Sequence, residues 1–322
     1  MSGKTVRAIT VCALLIAGGM HAPAQTSAPT ENVTVTATKS REVLGKFAKA
    51  FAAPTKFAGK LARWEHSAWE HGVCPFAMGQ NPHFTAFITQ RIKYIALAVG
   101  APVNTDASCI PNIEIIFTTT PQALLDNVRK DNPDYLGYAA NRAQFEKLAT
   151  VTRPIQAWYT TETIDFFGRR QLDSVITMRS NGELVFWPSD NSSGGLSAST
   201  VGGAGKGGGG QGGGGIGDSN HAVFFHILIV IDSTKLAGQK MVPLADYISM
   251  LALTQLNSLD TCQQLPSIVS IMAPNCDQKV EGLTEFDFAY LKGLYQMSAE
   301  RKLLFEQNDI GDAMEETLAK RK

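Results

Sequence analysis

The chain has 322 residues, with 29 Lys and Arg residues against 29 Asp and Glu residues, and a mean hydropathy of −0.04. This balance argues against a nucleic-acid or anionic-membrane partner held by charge. A composition with 44% hydrophobic and only 18% charged residues argues against wholesale disorder. One large domain or two small ones would fit the length.

The N-terminus has the pattern of a secretory signal peptide over residues 1–24. Lys4 and Arg7 precede an apolar run at 8–19, and the small-residue motif Ala22-Pro23-Ala24 follows it. The run is too short to span a bilayer, and no comparable run follows, so we expect no transmembrane anchor. Cleavage after residue 24 would release a mature chain that begins at Gln25, in the periplasm or outside the cell.

Four cysteines remain after export, and an even number in an oxidising compartment indicates disulfide bonds. Three pairings are possible. The order along the chain favours two local loops, closed by Cys74–Cys109 and Cys262–Cys276. A zinc site of four thiolates is the competing interpretation, but the chain has no Cys-x₂-Cys pair and export disfavours reduced thiols.

Residues 25–45 are expected to form a flexible tether, because the segment is rich in Thr, Ser, Ala and Pro and starts with little large apolar surface. Within it, Val33-Thr34-Val35-Thr36-Ala37-Thr38 resembles the TonB box, the short energy-coupling segment of outer-membrane receptors. A Thr/Val alternation is also common in linkers, and no barrel pattern follows it, which favours the plain tether.

A Gly-rich insertion is predicted at about 190–220. Between residues 194 and 217 the chain places 14 of its 29 glycines. A P-loop is excluded because Gly207 follows Lys206, where Ser or Thr would have to bind magnesium. The composition is typical of a flexible surface loop.

The remaining sequence predicts one mixed α/β domain over residues 46–322. Asn81 and Pro82 form a helix start, and apolar residues then recur at helical spacing up to Gly100. An unbroken apolar run at 224–231 is typical of a central strand covered on both faces. A stretch that is apolar nearly all round, 243–256, predicts a buried central helix. The other predicted elements are strands at 113–117 and 155–160, a short helix at 121–130, and a helix that begins at Thr284 with Asp287 as its capping-box partner.

Two C-terminal segments carry a resemblance to a known family. Ser270-Ile271-Met272-Ala273-Pro274 and the segment from Leu283 to Tyr295 resemble two motifs of the metzincin metallopeptidases, in particular the matrixin-like ones. These motifs are a Ser-Ile-Met-x-Pro Met-turn below the metal and a Leu-[Ser/Thr]-x-x-Asp helix that ends in Leu-Tyr. The chain is also similar to uncharacterised exported proteins of Gram-negative bacteria. The resemblance implies a metzincin-like α/β (α+β) fold: a twisted sheet with a long backing helix, a central buried helix, a Met-turn-like segment and C-terminal helices.

The zinc motif of that family is degenerate here. A metzincin binds zinc through His-Glu-x-x-His-x-x-Gly-x-x-His on its central helix, where side chains four apart share one face. The resemblance places Ala245 at the first His, Asp246 at the general-base Glu, Ser249 at the second His and Gln255 at the third, above Met272. We therefore expect a cleft without catalytic zinc, other metal or cofactor.

Two classes of function remain open. The favoured one is an exported, non-catalytic binding or scaffold module of the cell envelope that holds a partner protein or peptide in the old cleft or along its edge strand. The alternative is a secreted metal-dependent peptidase or hydrolase with relocated ligands, in which Asp246 and a histidine from the N-terminal half bind the metal.

The histidines give the alternative little support. His66 and His71 belong to a repeated Trp-Glu-His sequence, but five residues along a helix put two side chains about 140° apart. His83, near a helix start, and His226, in the predicted central strand, are expected to be hydrogen-bonded structural histidines.

Overall fold

The computed structural model describes residues 37–66, 72–174, 176–178, 184–186, 220–236, 238–274, 276–277 and 280–320. The predicted signal peptide, most of the tether with Val33 to Thr36, the second Trp-Glu-His and nearly all of the Gly-rich insertion lie outside these residues. Among the described residues, no helix has the length and apolar character that crossing a membrane requires.

An open, twisted sheet of mixed direction organises the fold. The strands of this sheet are β1 (Ala62–Arg63), β2 (Pro75–Met78), β3 (Ile113–Thr118), β4 (Ile155–Ile164), β5 (Arg170–Leu172) and β8 (His221–Asp232), and a separate hairpin is formed by β6 (Ile176–Met178) and β7 (Leu184–Phe186). The strand order of the sheet is β2-β3-β8-β4-β5, and β1 pairs with the start of β8. Strands β1, β2, β3 and β8 run parallel to one another, whereas β4 runs antiparallel to both β8 and β5.

Seven α-helices lie in the part of the chain that the structure describes, which confirms the mixed α/β prediction. They are α1 (Ala37–Phe51), α2 (Pro82–Val99), α3 (Pro121–Asp131), α4 (Arg142–Leu148), α5 (Met241–Leu253), α6 (Glu285–Gln296) and α7 (Leu303–Ala319). The helix predicted after Asn81 is α2, and the helix predicted at Thr284 is α6 with its capping box. The buried helix α5 ends at Leu253, three residues earlier than predicted, because Thr254 is extended.

Helix α1 begins inside the segment for which a tether is predicted. Leu44, Phe47, Ala48 and Phe51 repeat at helical spacing, and all four are buried in the main core. Residues 37–45 are therefore helical, and the prediction of a tether that reaches residue 45 is wrong at its C-terminal end. The start of this amphipathic helix was not predicted, because the residues before it have the composition of a linker.

Strand β8 is covered on both faces, as its unbroken apolar run predicts. Ile227, Ile229 and Ile231 point into the main core, which also holds the buried faces of α2 and α5. Leu228 and Val230 point to the opposite face, into a smaller core that includes residues of α3 and α4. The sheet therefore lies between two layers.

Two disulfide bonds join the pairs favoured by chain order. Cys74–Cys109 links the residue before β2 to the loop before β3. Cys262–Cys276 links the loop after α5 to the residues that follow a 3₁₀ turn at 268–271. Both predicted pairings are confirmed.

Candidate functional site

Three of the predicted cleft residues, Ala245, Asp246 and Ser249, lie on α5 and are buried. Ala245 and Ser249 are fully buried, and the Ser249 hydroxyl donates a 2.7 Å hydrogen bond to the Ala245 carbonyl one turn earlier. This bond occupies the hydroxyl within its own helix. Ala245 and Ser249 therefore contribute packing rather than ligands.

Asp246 is fully buried, and both of its oxygens accept hydrogen bonds. The Arg91 Nε lies 2.5 Å from Oδ1, Arg91 Nη2 lies 3.0 Å from Oδ2, and the Leu283 amide lies 2.7 Å from Oδ2. The loop comes this close because residue 282 is glycine, whose missing Cβ would lie 3.0 Å from Oδ2. The carboxylate is neutralised by a guanidinium from α2 and holds the loop before α6.

The histidines are scattered. His66 is exposed, His83 is exposed at the start of α2, and His71 lies outside the described residues. The His221 Nε2 lies 3.1 Å from a Glu65 carboxylate oxygen. Across the described ranges, no three His, Cys, Asp or Glu side chains are placed to bind one metal ion.

His226 differs from the prediction of a hydrogen-bonded structural histidine. Its side chain is almost fully buried, and neither ring nitrogen has a hydrogen-bond partner among the described residues. The ring stacks on Tyr135 at 3.9 Å between centroids, and Nε2 lies 3.7 Å from the Glu114 carboxylate. Aromatic stacking, rather than hydrogen bonding, holds this imidazole in place.

Asp287 anchors the 3₁₀ turn at 268–271 to α6. Its carboxylate accepts a hydrogen bond from the Thr284 amide, and the Thr284 hydroxyl accepts one from the Asp287 amide, which together form the capping box. The carboxylate also accepts a hydrogen bond from the Thr284 hydroxyl. It also accepts bonds from the Ser267 hydroxyl at 2.5 Å and the Ile268 amide at 2.8 Å. Burial raises the pKa of Asp287 although four donors surround it. Met272 ends the turn and packs, half-buried, against the main core.

Gln255 is the predicted cleft residue that reaches a cavity. The cavity has a volume of about 250 Å³ and lies between β4 and the end of α5. A loop after α1 and the residues that follow the 3₁₀ turn at 133–136 complete its wall. The lining residues are Thr55, Lys56, Leu136, Gly137, Tyr138, Leu148, Arg153, Gln156, Ala157, Trp158, Tyr159, Thr161, Leu251, Gln255, Leu256, Asn257 and Leu259.

The outer edge of β4 faces this cavity. The Pro154 carbonyl accepts a hydrogen bond from the Asp232 amide at the end of β8. Backbone groups alternate sides along an antiparallel strand, so those of Ile155, Ala157 and Tyr159 point away from β8. Strand β5 pairs with β4 only over residues 162–164. In the part of the chain that is described, no strand pairs with the outer edge over residues 155–160.

Gly137 shows how closely the wall approaches that edge. It has a φ of +79°, and a Cβ at this position would lie 2.4 Å from the Tyr159 carbonyl oxygen. Only glycine fits here. Tyr138 follows and contacts the ring of Phe57 edge-on, with 5.4 Å between centroids. The loop that carries Phe57 is therefore held against the residues beside β4.

The aromatic floor of the cavity is fixed by hydrogen bonds to backbone carbonyls. The Trp158 indole donates to the Leu148 carbonyl at 2.7 Å, and the Tyr159 hydroxyl donates to the Thr254 carbonyl at 3.3 Å. Burial raises the pKa of Tyr159, so the phenol stays neutral. The floor is rigid, neutral and partly apolar, as ligand sites commonly are.

Comparison with protein-family models, with curated proteins and with solved structures finds no match for this chain. The function is therefore inferred from the cavity and from the residues at the predicted cleft positions. Of the residues that line the cavity, Gln255 alone is a candidate named from the sequence. Residues 55–57 and 136–138 are far from Gln255 in the chain, and no sequence pattern indicates that they lie beside it.

Proposed function

We propose that the protein is an exported, non-catalytic binding or scaffold module with a metzincin-like fold. Its function is to hold an extended peptide segment of a partner in the cavity between β4 and α5. The observation that carries the proposal is the outer edge of β4, whose backbone groups at Ala157 face a cavity with a rigid aromatic floor.

The order of the elements supports the metzincin-like part of the proposal. A long helix, α2, connects two parallel strands, β2 and β3. The antiparallel strand β4 lies on the other side of β8, and the buried helix α5 is the next α-helix after β8. The turn that ends at Met272 then leads to α6.

The contents of the inherited cleft positions support a non-catalytic function. A catalytic zinc site requires three protein ligands and an open position for water. Ala245 and Ser249 are buried in the core, and Asp246 is bound to Arg91. Gln255 alone lines the cavity, and an amide is a poor zinc ligand.

Edge pairing explains how such a module would recognise a peptide. An extended segment that adds to an exposed strand gains main-chain hydrogen bonds from the edge, and pockets beside the edge select its side chains. A cavity of about 250 Å³ accommodates one or two side chains. The two disulfide bonds are compatible with an exported protein of the periplasm or medium.

The test is selection of random peptides against the mature, oxidised protein, followed by affinity measurement. In Ala157→Pro the outward amide is lost, while the bonds between β4 and β8 remain, because proline is tolerated where the N–H points away from a sheet. We expect Ala157→Pro to weaken peptide binding at least about tenfold, since each 1.4 kcal/mol lost is a factor of ten. Ala157→Ser, which keeps the amide, is the matched control and should bind as the wild type does.

Two outcomes would contradict the proposal. Equal binding by folded Ala157→Pro and wild type would show that the peptide does not pair with β4. Cleavage of the selected peptides that stops with a chelator would instead favour the metal-dependent hydrolase, and His66 would then be the first residue to replace. Thermal unfolding of each variant confirms that it is folded.

A further inference from the structure

The charges that line the cavity point to the chemistry of its ligand. We infer, on the basis of the proposed function, that the bound segment carries a carboxylate that contacts Lys56, either an Asp or Glu side chain or a C-terminal carboxylate. The cavity wall includes two charged residues, Lys56 and Arg153, and both are basic.

Arg153 is already paired. Its Nε lies 2.9 Å from the Asp260 carboxylate, and Nη2 contacts the second oxygen of the same group. This hydrogen-bonded ion pair raises the pKa of Arg153 and lowers that of Asp260, so both groups stay charged and satisfied. The charge of Arg153 is therefore already balanced by Asp260.

Lys56 is the cation that remains available. Its side chain is exposed, and no hydrogen bond or ion pair joins its ammonium group to the described residues. A Lys ammonium offers three hydrogen-bond donors and no acceptor, so its natural ligand is an anion.

The loop around Lys56 is preorganised rather than loose. The Thr55 amide donates to the Lys60 carbonyl at 2.8 Å, and the Gly59 amide donates to the Thr55 carbonyl at 3.0 Å. Phe57 contacts the ring of Tyr138, a residue of the cavity wall. A cation on an ordered loop loses less conformational entropy when it binds.

Gln255 adds a neutral donor beside the same loop. The Ala53 amide donates to the Gln255 carbonyl at 3.1 Å, which holds the chain leading to Lys56 next to the end of α5. Gln255 itself also lines the cavity. An ammonium group prefers a carboxylate to a neutral amide, because hydrogen bonds between charged groups are the stronger ones.

The carboxylate bound to the wall residue Thr161 is already hydrogen-bonded. Asp173 accepts hydrogen bonds from the Thr161 hydroxyl at 2.6 Å and the Thr163 hydroxyl at 2.7 Å. Burial raises the pKa of Asp173. Asp173 does not line the cavity, and the two charged residues that do, Lys56 and Arg153, are both basic.

The experiment compares random-peptide selections against wild type, Lys56→Gln and Lys49→Gln. Lys49 is an exposed lysine of α1 that does not line the cavity, so its variant is the matched control. We expect acidic residues, or a preference for a free C-terminus, in the peptides selected by wild type and Lys49→Gln. Lys56→Gln should lose this preference.

A selected peptide is then measured in four forms, with Glu or Gln at the enriched position and with a free or amidated C-terminus. Removal of the operative carboxylate should weaken binding to the wild type about five- to tenfold, and raised ionic strength should reduce the difference. The same change should have no effect on Lys56→Gln. If the change from Glu to Gln weakens binding, the operative carboxylate is a side chain. If amidation weakens binding, it is the C-terminal carboxylate.

Peptides that bind equally well in all four forms would overturn this inference and leave the proposed function intact. Failure to select any peptide that depends on the amide of Ala157 would overturn the proposed function as well. The two failures are therefore distinguishable.

Discussion

Arg91 of α2 and Asp246 of α5 are joined by two hydrogen bonds, of 2.5 and 3.0 Å, with Asp246 fully buried and Arg91 mostly so. Asp246 occupies the position at which the metzincin resemblance expects the general base. Its carboxylate instead fastens the backing helix to the central helix and to the loop before α6.

Replacement of Arg91 by Met should destabilise the protein by about 3–5 kcal/mol, because it leaves the Asp246 charge buried and unpaired. The double variant Arg91→Met/Asp246→Leu should recover a large part of this loss, since it removes both charges. Urea denaturation of the four corners of the cycle measures the coupling. The exposed pair Lys46–Glu42 is the control, and Lys46→Met should change stability by less than about 0.5 kcal/mol.

Glu306 of α7 should make stability fall as pH rises from about 4.5 to about 7. Burial raises the pKa of Glu306 to about 7 from the ordinary 4.5, although the Leu61 amide donates to Oε2 at 3.0 Å and Lys60 lies 3.8 Å away. Within that window the folded protein keeps a proton that the unfolded chain has lost. The folded state therefore binds more protons, and the free energy of unfolding decreases with pH, then levels off above about 7.

The measurement is urea unfolding at a series of pH values for wild type and Glu306→Gln. The Glu306 contribution amounts to at most about 3 kcal/mol across the window, and Glu306→Gln should remove it. Glu316→Gln, at an exposed position on the same helix, should leave the wild-type slope unchanged. An unchanged slope in Glu306→Gln would show that another group binds the proton.

Local patterns predicted the elements whose signals lie within a few residues of one another. The capping box of Thr284 and Asp287 and the apolar run of β8 are of this kind. The contact between Arg91 and Asp246 joins residues 155 positions apart, and helical periodicity carries no information about such pairs. The cavity wall is likewise assembled from separate loops. The start of α1 was missed because small and polar residues mask its amphipathic spacing.

His226→Phe should leave stability unchanged or raise it by about 1 kcal/mol. The imidazole buries two nitrogens that accept or donate no hydrogen bond within the described residues, and an unsatisfied buried polar group carries a cost of about 1–3 kcal/mol. Phenylalanine keeps the stack on Tyr135 and removes that cost, partly offset by its larger volume. A loss above about 2 kcal/mol at neutral pH would mean that the imidazole binds a partner, and Glu114→Gln would then test the carboxylate beside it.

Removal of Cys262–Cys276 by the double variant Cys262→Ser/Cys276→Ser should cost about 3 kcal/mol, because the bond restricts the unfolded chain over a separation of 14 residues. The longer loop of Cys74–Cys109, with a separation of 35, should contribute about 4 kcal/mol.

The shorter disulfide has a further structural effect, since it joins the loop after α5 to the residues that follow Met272. We therefore expect Cys262→Ser/Cys276→Ser, but not Cys74→Ser/Cys109→Ser, to increase amide exchange in the 3₁₀ turn at 268–271. Oxidised protein in urea provides the stabilities, and hydrogen exchange provides the local readout. Equal protection of that turn in both variants would show that Asp287 alone holds it.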